Sequence, residues 1–441
     1  MPTYIIALIL FGITYVLLFL VQKYRSWIAL GSAIIFSIWL SLFCKEIEFT
    51  FIDIITAIDS NILMMITGTM GIVVLFIESK MPMRIADVLL SKFKNVKWAL
   101  VAMSLLSGIV SAFVDNVATG LMIAPIALAV CKKQNISPVG PIIAIAVSSN
   151  LQGAATLVGD TTSILLGGYA DMNFFDFFVF HGKPGIFFAV ELGALATAFI
   201  LLILFRKETK PLSLTDKTEV NDYLPSYLMG GIILLLIIES FIPEPSNNIL
   251  KTIYDLRNGI ICIILLIVGL IINAIKNKNT AMVKQVIKEI DYDTLLLLGS
   301  LFIVIQGITS AGVIDKLSEL LVYMGGDNLF VMYTIIVFAS VLISAFVDNI
   351  PYVLTMLPVV TVVADTMNIE PYVLYFGLLI GSTLGGNITP IGASANITGI
   401  GILRKEGYEV KATDFMKISV PFTLTAVLTG YLFIWLFYGI L

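Results

Sequence analysis

The sequence predicts an all-α, polytopic membrane protein built from two inverted-topology repeats, and three observations carry that prediction. Of 441 residues, 59% are hydrophobic and only 13% are charged, for a mean hydropathy of +1.01. A soluble domain carries about 25% charged residues and must cover itself with polar groups. Apolar stretches of membrane-spanning length recur from end to end. A polar block, SAFVDN, interrupts them twice, at 111–116 and 344–349. The 26 basic and 30 acidic residues form no basic stripe, so no nucleic-acid partner is expected. Cys44, Cys131 and Cys262 lack metal-ligand spacing, and a single histidine, His181, excludes a histidine-rich metal centre. No cofactor is expected.

Ten segments qualify as crossings of about 17–25 residues or more: 4–22, 27–44, 60–78, 140–170, 184–205, 225–242, 257–275, 293–312, 371–400 and 416–439. The first has no basic n-region and reads as a mature helix rather than a signal peptide. Those at 140–170 and 371–400 are too long and too rich in Gly, Ser and Thr to be plain helices, and predict two broken helices. Two further apolar stretches, 98–131 and 327–364, carry Asp115-Asn116 and Asp348-Asn349 near their centres. A turn-forming pair in the middle of an overlong stretch predicts a re-entrant hairpin. Basic residues collect in cytoplasmic loops. With both termini outside, the inside loops hold 21 of the 26, among them Lys23 and Arg25, and leave Lys45, Lys183, Lys251, Arg257 and Lys316 outside. A plasma (inner) membrane location follows as the expectation.

SAFVDNVATGLMIAPI at 111–126 recurs as SAFVDNIPYVLTMLPV at 344–359, with 8 of 16 positions identical at an offset of 233. The same offset lays 149–163 on 382–396, with 5 of 15 identical. Each half then reads as five crossings plus one hairpin: residues 1–208, a cytoplasmic linker at 209–224, and 225–441. Five is odd, so the second half is expected upside down, its hairpin opening outside and the first opening to the cytoplasm. Inverted repeats with interrupted helices are common in secondary transporters, whose site lies near the midplane. A channel or a membrane enzyme are the rival classes, but the crossings lack the His and Cys sets that enzyme chemistry usually uses.

A carboxylate at the membrane centre costs about 2.5–3.5 kcal/mol. Asp115 and Asp348 are therefore read as both helix caps and ion sites, with Asn116 and Asn349 adding carbonyl oxygens suited to sodium. Thr119 stands one turn into the first return helix. The broken crossings contribute Thr156, Gly159, Asp160 and Thr161, and, in the second half, Asn387, Thr389, Gly392, Ser394 and Asn396. Pro390 breaks its helix, and exposed carbonyls and helix N-termini can take ions there. Asp160 aligns with Ala393, so the first half is expected to hold the stronger cation or proton site. Glu191 is a candidate proton relay, Glu239 is expected at the interface, and His181 has no expected site role. Apart from Arg257 and Lys417 at the ends of theirs, no Lys or Arg falls inside a crossing, which points to a cation, a proton or a neutral hydroxylated solute over a bare dicarboxylate.

These residues resemble the ion transporter superfamily, and within it the arsenite permeases, the sodium–proton antiporters of that type and the melanosomal P protein. The resemblance rests on the two SAFVDN blocks and on GSTLGGNITPIGASANITGIGILRKEGYEVKATDFMKISVP at 381–421. It implies a homodimer in the lipid bilayer, with a scaffold part and a mobile part that moves as an elevator. The more distant dicarboxylate–sodium symporters carry Ser-Asn-Thr at the hairpin tips. Here the tips are Asp115-Asn116-Val117 and Asp348-Asn349-Ile350, so only the asparagines carry over. The expected function is secondary active transport of a small inorganic ion or small solute by alternating access. Sodium–proton exchange is the leading expectation, with sodium and protons as coupling ions. Proton-coupled arsenite or antimonite efflux and sodium-coupled carboxylate or other anion symport are the alternatives. The protein is not expected to be an enzyme.

Overall fold

The computed structural model describes residues 2–44, 47, 49–212 and 218–440. Lys45, Lys217 and the middle of the 209–224 linker lie outside the described residues. The first half forms α1 (Thr3–Leu20), α2 (Arg25–Phe43), α3 (Phe51–Ala57), α4 (Ser60–Glu78), α5 (Met81–Leu90), α6 (Val96–Ser111), α7 (Asn116–Gln134), α8 (Val139–Gly153), α9 (Thr161–Tyr169) and α10 (Ile186–Leu204). The second forms α11 (Leu224–Glu239), α12 (Asn248–Asp255), α13 (Arg257–Asn277), α14 (Ala281–Glu289), α15 (Tyr292–Ser310) and α16 (Val313–Gly325). It continues with α17 (Leu329–Ser344), α18 (Asn349–Met367), α19 (Tyr372–Gly385), α20 (Ser394–Lys405) and α21 (Ala412–Ile434). The hairpin arms α6 and α17, and likewise α7 and α18, keep the 233-residue offset at both ends.

Among the described residues nine helices are long and apolar enough to cross a membrane, or ten if the pair α16–α17, bent by 118°, is one span. This is an all-α polytopic membrane protein. The nine are not the expected set of ten. They include the return arms α7 and α18, while α11 has 16 residues and the broken crossings divide into α8 plus α9 and α19 plus α20. Five short helices, α3, α5, α12, α14 and α16, were not expected. Their residues pair apolar faces with charged ones, a pattern that a search for long apolar runs passes over. His181-Gly182 form the turn of a two-residue β-hairpin, Val179–Phe180 with Lys183–Pro184, and the His181 ring stacks on Phe180.

Two packing groups position the site. In one, α2 lies on α15 and α13 lies on α4. Small residues set the approach: Gly259 lies against Asn61 and Met64, Gly68 against the Cys262 backbone, and Gly71 against Leu266. Contacts advance in the same direction along both helices, so α4 and α13 run parallel. The α2–α15 pair does likewise, from Ser26–Asp293 at its start to Gly307 against Phe36 and Leu40 further on. The other group holds the hairpins, with α6 on α8, α17 on α19 and α10 on α21.

Candidate functional site

Each hairpin turns through a residue that begins the next helix. Asp115 Oδ1 accepts the N–H groups of Val117 and Ala118 at 2.9 and 3.1 Å, and Asp348 Oδ1 accepts that of Ile350 at 3.1 Å. These carboxylates satisfy helix donors that otherwise lack partners. Asp160 does the same for α9, its Oδ1 accepting the Thr161 N–H at 2.8 Å and its Oδ2 the Thr162 hydroxyl at 2.9 Å. The fourth helix that starts in this region is α20. Its N-cap is Ala393, which offers no side-chain cap, so its first N–H groups keep their partial positive charge.

The hairpin tips lean on the broken helices through equivalent contacts. The Thr156 hydroxyl donates to the Ala112 carbonyl, and the Thr389 hydroxyl to that of Ala345. Gly159 lies against the carbonyls of Gly153, Ala112 and Ser111, and Gly392 against those of Gly386, Ala345 and Ser344. A buried amide network joins the halves. Asn116 donates to Asn150, which donates to the Thr383 carbonyl and to Asn387, and Asn387 donates to the Val147 carbonyl. Asn150 and Thr383 are themselves 233 residues apart, so this contact joins equivalent positions, as contacts near a two-fold axis do.

Two neighbouring cavities open beside these tips. One, about 310 Å³, is lined by Asp115, Asn116, Asp160, Thr161, Asn349 and Ser394, together with Arg25, Asp291 and Thr294. The other, about 390 Å³, holds Asp348, Ser394 and Thr398 with Tyr15, Gln22, Lys23 and Arg25. Arg25 and Ser394 line both. The Arg25 guanidinium donates to Asp348 Oδ2 at 2.6 Å, each side chain being 25% exposed. Nearby, the Tyr15 hydroxyl donates to the Pro351 carbonyl at 2.7 Å and also meets Thr355.

Arg25 is the site residue that sequence reasoning missed. It opens α2 at a helix boundary, and its long side chain reaches a carboxylate 323 residues away. Arg25 lies at the end of its helix rather than within an apolar run, yet its side chain brings a positive charge to the tip of the second hairpin. The signal was present: only four residues, Lys23–Ser26, separate the first two expected crossings, and a carboxylate at a hairpin tip calls for a partner. Glu239, expected at the interface, is 4% exposed and paired with Arg257. Asp115 and Asp348 do not share one cavity but line adjoining ones.

The other expected ligands divide in two. Asp115, Asn116, Asp160, Thr161, Asn349 and Ser394 come together at the 310 Å³ cavity. Among the described residues the Asn349 amide makes no hydrogen bond. Thr119 is buried with its hydroxyl on the Val114 carbonyl, while Thr156, Gly159, Asn387, Thr389 and Gly392 hold backbone and halves together as described. Asn396 donates to the Gly386 and Thr389 carbonyls, and its Oδ1 is buried without a partner, as is Ser111 Oγ. Glu191 lies partway along α10, away from both cavities.

Similar proteins place this arrangement. Residues 6–381 match the family model described as citrate transporter. An uncharacterized transporter of Mycobacterium tuberculosis is 29% identical over 351 residues, which cover 78% of this chain and 77% of the relative. The P protein of Sus scrofa is 24% identical over 464 residues, 86% of this chain but 53% of that protein. Among solved structures, the YdaH transporter of Alcanivorax borkumensis shares the fold at a TM-score of 0.61 and 13% identity, over 96% of this chain and 98% of that one. MtrF of Neisseria gonorrhoeae does so at 0.57 and 13%, over 88% and 83%. With most of its length matched by that model, the chain belongs to the citrate transporter family, within the wider ion transporter superfamily of secondary transporters.

Proposed function

We propose that this protein moves a small polycarboxylate of the citrate class by alternating access, coupled to a cation or proton at the first-half carboxylates. The observation that carries the reading is the Arg25 guanidinium, which lines both cavities together with Ser394 at the uncapped start of α20. A guanidinium and free helix N–H groups are suited to carboxylate oxygens. Asp115 and Asp160 line the same 310 Å³ cavity and form no ion pair among the described residues, which suits a cation or a proton beside the anion. Ser111 Oγ, at the end of the first hairpin arm, and Asn396 Oδ1, in α20, are buried oxygens without hydrogen-bond partners, each suited to a dehydrated cation in its own half.

The parallel packing of α4 on α13 and of α2 on α15 supports an inverted repeat. Successive crossings alternate in direction, so a same-way repeat would make these pairs antiparallel. With the basic-residue bias setting orientation, the cavities beside Arg25 open to the cytoplasm. The test is uptake of labelled citrate into proteoliposomes under an imposed sodium or proton gradient. Arg25→Gln is expected to abolish uptake, and Asp115→Asn to abolish its dependence on the gradient. Absence of citrate, succinate or malate flux, with sodium still dequenching an internal acid-loaded pH probe, would overturn this reading. That result would establish sodium–proton exchange, which the two unpaired carboxylates also favour.

A further inference from the structure

The repeat is obeyed at the mouths of the two halves except in one contact. Arg25 opens α2 and Arg257 opens α13, 232 residues later. The partner helices match at the same offset: Asp291 caps α15 through the Thr294 N–H, and Asp59 caps α4 through the Ile62 N–H, both at 3.0 Å. Each first turn is also tied to its parallel neighbour, by Ser26 donating to Asp293 in one half and by the Gly259 N–H donating to Asn61 in the other. The arginines differ. Arg25 grips Asp348 at the tip of the second hairpin, whereas Arg257 is held by its own half.

Three contacts hold Arg257. Its Nε donates to Glu239 and its Nη1 to the Tyr254 carbonyl at 2.9 Å, with the guanidinium 3.8 Å from the centre of the Tyr254 ring. Its Nη2 makes no hydrogen bond among the described residues, and the side chain lines a separate cavity of about 260 Å³ with Asp59 and Asn258. The equivalent of Asp348 in the first hairpin is Asp115, whose carboxylate has only backbone partners here.

We propose that Arg257 is the latch for the first hairpin: in the opposite-facing state of the empty carrier, the tip at Asp115 docks on the Arg257 guanidinium as Asp348 docks on Arg25 in this structure. The two ion pairs are mutually exclusive, each marking one end of the cycle. Exchanging the conformations of two inverted repeats converts one facing state into the other, and the same exchange converts Arg25–Asp348 into Arg257–Asp115. Glu239 and Tyr254 pre-orient the outer guanidinium and leave Nη2 for the incoming carboxylate. Ligand in the site competes with either latch for the same groups. This inference rests on the alternating-access reading above but not on the identity of the substrate.

The test is conformational, so it does not depend on transport. In full-length protein with Cys44, Cys131 and Cys262 replaced by Ser, paired cysteines at 25 and 348, and separately at 257 and 115, are treated with a bifunctional maleimide spanning an Arg–Asp pair. Both pairs are expected to cross-link in substrate-free protein. In parallel, an Ile77→Cys reporter in the Arg25-side cavity is labelled by a maleimide. Arg25→Gln is expected to slow labelling by about twofold to fivefold, since one partly exposed ion pair shifts a two-state balance by about that factor. Arg257→Gln is expected to speed it. Should Arg257→Gln fold poorly with Glu239 left unpaired, the double variant Arg257→Gln/Glu239→Gln carries the same expectation. A 25–348 cross-link with none between 257 and 115, or labelling changes of the same sign, overturns the latch. Cross-links and opposed labelling without citrate flux would keep the latch and refute the substrate.

Discussion

Adding one methyl group at Gly159 tests whether backbone contact holds the first hairpin against its broken helix. A Cβ there would sit 2.5 Å from the Gly153 carbonyl oxygen and 2.8 Å from those of Ala112 and Ser111. Carbon–oxygen contacts begin near about 3.3 Å, so three backbone carbonyls must retreat by about 0.5–0.8 Å. Side chains evade such a clash by rotating, and backbone in a packed turn does not. Overpacking costs about 1–3 kcal/mol, and Gly159→Ala falls at or above the upper end because no flexible atom is among its neighbours. Gly392→Ala meets the same geometry, with Gly386, Ala345 and Ser344 carbonyls at 2.6, 2.8 and 2.9 Å. Gly120, in α7 of the same hairpin, is the control. Nothing lies within 4 Å of an added Cβ there, and Ala gains about 1 kcal/mol of helix propensity. Thermal unfolding in detergent, followed by reaction of the buried Cys131 and Cys262 thiols, reads stability, and proteoliposome uptake reads function. The expected order is Gly120→Ala at or above the parent, with Gly159→Ala and Gly392→Ala several degrees below and inactive. Equal melting of Gly159→Ala and Gly120→Ala would refute the reasoning.

Three further outcomes follow from the same contacts. Arg25→Lys is expected to leave uptake severely impaired, since a lysine cannot present the planar fork that meets a carboxylate in two places; uptake kinetics over a range of citrate concentrations measure this. Asp160→Asn keeps an acceptor for the Thr161 N–H while removing the charge, and Asp160→Ala removes both. Both are expected to lose coupling in a gradient-dependence assay, but only the alanine is expected to lose about 1 kcal/mol of stability. Asn150→Leu strands buried partners at Asn116, Thr383 and Asn387, and is expected to destabilise by about 2–4 kcal/mol, read as a lowered midpoint in the same melting assay.

Much of this molecule is legible in its sequence because hydropathy and chain breakers act locally. The run 60–78 matches α4 end for end, and the hairpin arms meet at the Asp-Asn pairs because a carboxylate that caps the return helix must stand at the turn. What stayed illegible depends on partners distant in the chain. A threonine in a broken helix looks the same whether its hydroxyl faces a ligand or, as Thr156 and Thr389 do, the carbonyl of a hairpin tip. Amides behave likewise: Asn387 and Asn349 carry the same chemistry, yet one closes a buried network between halves and the other faces a cavity. Arg25 was hidden for a related reason. Its backbone belongs to a boundary, and its function belongs to a side chain that reaches inward.

The departure from symmetry at the four converging helix starts gives the proposed transport of an anion with a cation its physical basis. In a strict repeat, α7 and α18 would match, as they do at Asp115 and Asp348, and α9 and α20 would match too. They do not: Asp160 caps α9, and Ala393 leaves α20 bare. A capping carboxylate cancels the positive end of its helix and adds a full negative charge, so on the proposed reading the Asp115–Asp160 side of the cavity takes the cation. The bare start of α20 keeps its positive end, and Arg25 stands beside it while its charge is offset by Asp348. A carboxylate ligand that displaces Asp348 from Arg25 frees a hairpin-tip charge at the moment the ligand arrives. On the proposed reading, anion binding and release of the second hairpin are one event. Restoring the symmetry with Ala393→Asp should therefore abolish anion uptake while sparing cation binding at Asp115 and Asp160, measured as sodium-dependent protection of the purified protein from thermal unfolding. Retained citrate uptake in that variant would show that the uncapped helix start has no part in anion recognition.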